Sequence, residues 1–329
     1  MKRLISVCVA LVAVSQLCAE DVVTYRDRSK GERQLQTAKG DITSESLAEI
    51  KVGARVIPTV DIIDVQYDVP GLARLDYPNA VSAESARHYD DAIREYRGLL
   101  GKSVISKSPK LQRHFDYKIA MLSVAKSDSA GDWRTATDAL LKFISDHPEG
   151  WQRVHATRLL ARLYLDQDPP QVEPARKAYE ELAANPSATP ELKAECGFAV
   201  VDTFLQSGQF DKARERLAKI SANDLRLEWY RLACQAMPDQ PGAAIQALET
   251  ALTKADENQK ATIYNLLGNC YRLDPKRQTD AILSYLWVEV IYNQDPVELA
   301  KAQSRLAELF HERKDEKRAA IYREKVHGR

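Results

Sequence analysis

Seven alanines constrain this chain more than any other feature. Ala92, Ala136, Ala175, Ala213, Ala244, Ala281 and Ala319 recur at spacings of 44, 39, 38, 31, 37 and 38 residues. Each lies in a stretch whose apolar residues return every three to four positions, the period of an amphipathic helix. A small residue at the same place in every unit lets the second helix of that unit lie close to its first. One helical hairpin cannot bury its apolar face alone, so copies must stack. From about residue 71 the pattern therefore predicts a helical array rather than a single closed core.

The phrases around these alanines repeat too. Tyr89-Asp90-Asp91-Ala92-Ile93-x2-Tyr96 parallels Phe210-Asp211-Lys212-Ala213-Arg214-x2-Leu217, and Gly131-Asp132-Trp133-x2-Ala136 parallels Gly208-Gln209-Phe210-x2-Ala213. The glycine supplies the bend and the aromatic staples the turn. Breakers separate the units at Asp146–Gly150, Asn185-Pro186, Pro238–Pro241 and Asn293–Pro296. The clearest first helix reads Tyr264-Asn265-Leu266-Leu267-Gly268-Asn269-Cys270-Tyr271. It resembles the first-helix half of a tetratricopeptide (TPR) unit, W-x2-L-G-x2-Y, with Tyr264 in the tryptophan slot. Leu160-Ala161-x2-Tyr164, Leu232-Ala233-x2-Ala236 and Leu306-Ala307-x2-Phe310 follow the same logic. The resemblance implies a mainly α fold: six or seven hairpins curling into a superhelix, with first helices lining its concave side. The charged run Lys314–Arg318 suits a polar cap at the end of the array, or simply a solvated face.

Two other segments precede the array. Residues 1–19 read as an export signal: Lys2-Arg3, the apolar core Leu4–Val14, and a cleavage site after Ala19. Leu17 is too large for a lipoprotein box ahead of Cys18. The expected location is the periplasm or cell envelope of a bacterium. Residues 20–70 change period. Val22–Tyr25, Gln34–Ala38, Asp41–Ser44, Ala48–Val52, Arg55–Ile57 and Ile62–Tyr67 read as extended, with Gly31, Gly40, Gly53 and Pro58 at turns. Short strands joined this tightly suit a small SH3-like or Sm-like barrel. Such a module is small for independent stability and is expected to lean on the helices. The whole plan resembles exported bacterial TPR proteins with a small β-module ahead of the repeats.

Composition narrows the function classes. Formal net charge is zero, without the basic face expected of nucleic-acid binding. No later stretch has the roughly 18 apolar residues of a membrane span. Cys196, Cys234 and Cys270 are too few and too widely spaced for a disulfide framework, and read as small buried residues with one inter-repeat disulfide as the alternative. Gly98–Ser103 lacks the spacing of a phosphate loop, since Tyr96 stands where its first glycine belongs. No histidine pair has metal-ligand spacing, and no G-x-S-x-G is present. No cofactor or metal is implied, and the chain reads as non-catalytic.

Projecting the TPR register from Tyr264 onto the other first helices points particular residues at the groove. These are Arg158 and Arg162, then Phe198, Asp202 and Tyr230, then Asn265, Asn269 and Arg272. The groove is expected to begin basic, pass through an aromatic middle and end polar. Phe198 and Tyr230 would anchor a peptide, and Arg158 and Arg162 would hold its carboxylates. Lys301 and Arg305 match one pair of a known TPR carboxylate clamp, but Tyr230, Cys234 and Leu266 break the rest of it. The expected function is an interaction scaffold for a peptide or protein. The alternatives are a self-assembling structural component and a hydrolase with its site at the β–helix junction.

Overall fold

The computed structural model describes residues 20–27, 35–69, 77–130, 132–167, 170–220, 224–236 and 239–327. The expected export signal over residues 1–19, and Gly31, Gly131 and Pro238, lie outside these residues. Six strands come first: β1 (Val22–Tyr25), β2 (Gln36–Lys39), β3 (Ile42–Glu45), β4 (Glu49–Val52), β5 (Arg55–Pro58) and β6 (Ile62–Gln66). They form two antiparallel three-stranded sheets, ordered β2-β1-β6 and β3-β4-β5. Only Gly40 and Asp41 separate β2 from β3, so one kinked strand serves both sheets. Gly40 bends it with φ of 131°, a conformation side chains resist. A 3-10 turn, Thr59–Asp61, leads from β5 to β6, and β6 returns to pair with β1. This is the connectivity of an SH3-like barrel. The two-residue alternation places Val23 abreast of Ala38 and Val65, and Ile50 abreast of Ile57, all buried.

Fifteen helices follow among the described residues. Fourteen of them make seven antiparallel hairpins. These pair α1 (Tyr77–Ser85) with α2 (Tyr89–Leu100), α4 (Pro109–Ala130) with α5 (Trp133–Asp146), and α6 (Gln152–Leu165) with α7 (Val172–Ala183). Next, α8 (Pro190–Gln206) pairs with α9 (Phe210–Ala218), and α10 (Arg226–Ala236) with α11 (Pro241–Lys254). Last come α12 (Glu257–Arg272) with α13 (Gln278–Val290), and α14 (Pro296–Glu312) with α15 (Glu316–His327). A single-turn helix, α3 (Ser103–Ser106), fills the longest spacing. The seven recurrent alanines all fall on second helices, and none is more than 1% exposed. The chain is a TPR-like helical array preceded by a small β-module.

The repeated turn has a repeated hydrogen bond. His88, Asp132, Gln209 and Asp315 each donate a backbone N–H to the carbonyl five residues back, on Ala83, Ser127, Phe204 and Phe310, at 2.8–3.1 Å. This is the helix-ending Schellman bond, which needs a left-handed residue just before the donor. Gly208 fills that place with φ of 70°, and Arg87 and Lys314 fill it at 59°. Close helix approach is visible at the Tyr264–Tyr271 stretch. A Cβ on Gly268 would sit 2.5 Å from the Tyr285 ring of α13.

The β-module shares a core with the first helices. Val23, Ile50, Ile57 and Ile62 join one apolar cluster with Ala80, Tyr96, Phe115 and Trp151. Asp21 ties both sheets to α4. Its carboxylate accepts from Ile42 N at 3.0 Å, Asp68 N at 2.8 Å and Lys110 Nζ at 2.9 Å. Trp151 Nε1 donates to Tyr67 Oη at 2.9 Å, and Tyr67 donates to Glu45 at 2.6 Å. Arg113 pairs with the same Glu45.

The candidate ligand cavity

Helical periodicity aims one stripe of α6 inward. Trp151, His155, Arg158, Arg162 and Leu165 are spaced by three or four residues and share a face. That face lines a cavity of about 830 Å³. Opposite it stand Asp202 and Gln206 of α8, Asn265 and Asn269 of α12, and Lys301 and Arg305 of α14. Asp64 of β6, Lys118 and Met121 of α4, and Lys325 of α15 complete the enclosure.

Contacts between distant parts of the array ring the cavity. Lys301 Nζ of α14 reaches Asp202 of α8 at 2.6 Å, and Gln206 donates to Glu308 at 2.9 Å. Arg26, just after β1, pairs with Asp295 ahead of α14. Arg87 pairs with Glu324 of α15 at 3.3 Å, and α15 touches α4. The concave face is thus bridged across its middle and walled by the β-module and the last helix.

The projected residues divide accordingly. Arg158, Arg162, Asp202, Tyr230, Asn265 and Asn269 line the cavity. Phe198 is 2% exposed and lies instead between Tyr230, 5.1 Å between centroids, and the Arg226 guanidinium, 4.5 Å above its ring. Arg272 is turned to Glu308 and Glu312, at 2.5 and 2.7 Å. Several lining residues already hold each other. Tyr230 donates to Asp202 at 2.8 Å, Asn265 donates to the Glu298 carboxylate at 2.7 Å, and Tyr285 donates to Asn269 at 2.8 Å. Burial opposes the charge on Lys301, but Asp202 and Glu298 outweigh it and hold its pKa well above the ordinary lysine value. Burial would raise Glu308, but Arg305 and Arg272 hold it below the usual carboxylate range.

Arg158 differs from these. Among the described residues no carboxylate lies within ion-pairing distance of its guanidinium. Its neighbour His155 is neutral, because burial pushes its pKa down to about 3, with Arg158 adding to the effect. The His155 Nε2 sits 3.0 Å from the Ile62 carbonyl, an acceptor only, so that nitrogen carries the proton and donates it, leaving Nδ1 as an acceptor. His114, also in the wall and 6% exposed, is pushed to about 3 by burial and has an Nδ1 with no protein partner.

No family model matches the chain, and no curated protein matches it in sequence. Among solved structures it is similar to a tetratricopeptide repeat protein from Parabacteroides merdae. The two share 12% identity over 77% of this chain and 91% of that one, with a TM-score of 0.42. The repeat architecture here rests on its own hairpins, buried alanines and recurrent turns.

The contributions of α4, α15 and β6 to the cavity carry no motif in the sequence. Only the alternation of β6 hints at them, by turning Asp64 away from the barrel core while Val65 points into it. Cys196, Cys234 and Cys270 are free and buried, and burial pushes each thiol up to about 12. Among the described residues no cluster of metal-ligating side chains occurs, and no helix is long and apolar enough to cross a membrane.

Proposed function

We propose that the protein is a non-catalytic interaction protein of the bacterial cell envelope, receiving a partner protein or peptide that presents an anionic group to the cavity. The observation behind this reading is Arg158, a cation on the concave face with no carboxylate partner among the described residues. A half-buried guanidinium in that setting favours an incoming carboxylate. Fluorescence anisotropy with a pool of short acidic peptides tests it. Saturable binding that Arg158→Glu weakens by about tenfold supports the reading. No binding by the wild-type protein, or binding indifferent to the substitution, counts against it.

Self-assembly has its own observation. Leu283, Trp287 and Val290 form an apolar stripe on α13, exposed by 51%, 46% and 63%. Light-scattering mass across a concentration series tests this second reading, and a strict monomer removes it. The hydrolytic alternative finds its enclosed cavity beside β6 but not its catalytic pair. Among the described residues, no serine, cysteine or carboxylate is hydrogen-bonded to His155 or His114.

A further inference from the structure

The cavity wall is unevenly divided. Tyr117 and Met121 with Leu122 of α4 and Leu159 of α6 give it apolar surface, next to the charged Lys118 and Arg158 of the same two helices. Tyr117 and Met121 pack on the apolar cluster that contains Leu159, and the Tyr117 ring lies 6.1 Å from that of Trp151. The charged part carries both signs. Among the described lining residues there are seven lysines and arginines against four carboxylates, in a chain of zero formal net charge. Lys301, Lys118, Arg305, Arg87 and Lys325 are each engaged with a carboxylate of the protein. Arg158 is not, and the neutral His155 beside it adds no second charge.

A volume of about 830 Å³ falls in the range of small-molecule sites, roughly 300–1,000 Å³. A peptide threaded here would place amide groups against the apolar side chains of Tyr117, Met121 and Leu159, where an amide left unpaired is costly. A molecule with one anionic head and a hydrocarbon body leaves no such group unpaired. It also supplies the single counter-charge that Arg158 lacks.

We propose that the cavity binds an amphipathic monocarboxylate of the long-chain fatty-acid type. The head pairs with Arg158 and accepts from its guanidinium; the chain lies along Tyr117, Met121 and Leu159. The inference rests on the cavity as the receiving site, not on a peptide as its occupant.

Displacement of a fluorescent polyunsaturated fatty acid from the purified mature protein tests this, below the micellar concentration. Palmitate should displace the probe with one-to-one stoichiometry. Methyl palmitate, which keeps the chain and loses the charge, should bind about tenfold more weakly or worse. Arg158→Ala should show the same loss with palmitate, and Arg158→Lys should recover part of it. The methyl-ester arm uses wild-type protein and so does not depend on any variant folding. Failure of palmitate to bind, or equal binding of acid and ester, overturns the proposal. Dodecyl phosphate binding as tightly as palmitate overturns the preference for a carboxylate. The acidic peptide pool, titrated in parallel, separates this inference from the preceding one. Palmitate binding without peptide binding supports the fatty-acid site and removes the peptide reading; peptide binding without palmitate does the reverse.

Discussion

At the scale of single residues, the two buried histidines should make stability depend on pH. His114 and His155 are both held near 3 by burial, below the unfolded value of about 6.5. Between those values the unfolded chain binds more protons than the folded one, so stability falls as pH drops below about 6.5. For His114, 6% exposed, the loss should reach on the order of 2–3 kcal/mol by pH 4. His155 should contribute less, being more exposed. Other groups also titrate in acid, so the sharper measurement is the slope of the thermal midpoint between pH 6.5 and 5. His114→Phe should flatten that slope while keeping the edge contacts to Tyr67 and Phe115. An unchanged slope would place the acid sensitivity elsewhere. Neither histidine was legible as a buried neutral group, because its neighbours come from distant segments.

At the scale of elements, much of the structure was legible. The seven alanines and the Schellman turns are local features, set within one hairpin, and a sequence displays local features directly. Gly268 is the clearest case. Alanine there should gain about 1 kcal/mol of helix propensity but push the Tyr285 ring, which is fully buried and bonded to Asn269. Overpacking of this kind costs about 1–3 kcal/mol, so after the propensity gain Gly268→Ala should lower stability by up to about 2 kcal/mol. A urea midpoint that stays or rises would show that the helices separate freely. Lys314 offers the opposite change. Its φ of 59° is strained for a side chain, and Lys314→Gly should raise stability by about 0.5–1 kcal/mol in the same assay. Helix orientation within each unit was equally legible, which is why Asn265 and Asn269 do face inward. Their engagement with Glu298 and Tyr285 was not, since one partner lies a full hairpin away.

At the scale of the molecule, closure is the feature that no local pattern announced. Most helical arrays make only nearest-neighbour contacts. Here Lys301 joins α14 to Asp202 of α8 while also pairing Glu298 of its own helix. Lys301→Ala should leave both carboxylates without a counter-charge, at a cost of about 2–4 kcal/mol. Lys301→Met combined with Asp202→Asn should recover part of that. The wild type should unfold in one step by circular dichroism and by tryptophan fluorescence, and Lys301→Ala should make the two curves separate. Coincident curves for the variant would mean that the bridge does not couple the halves. The register projection missed this closure because each concave residue was read on its own helix, without the opposite wall.

The same closure bears on how the chain reaches its native state. The pair Arg26–Asp295 spans 269 residues and Arg87–Glu324 spans 237. Neither can form until the hairpins between are stacked, and loop-closure entropy opposes both until then. The hairpins, by contrast, need only local contacts and can assemble quickly and in any order. Refolding should therefore show a fast phase of helix formation and a slower one in which the first and last segments meet.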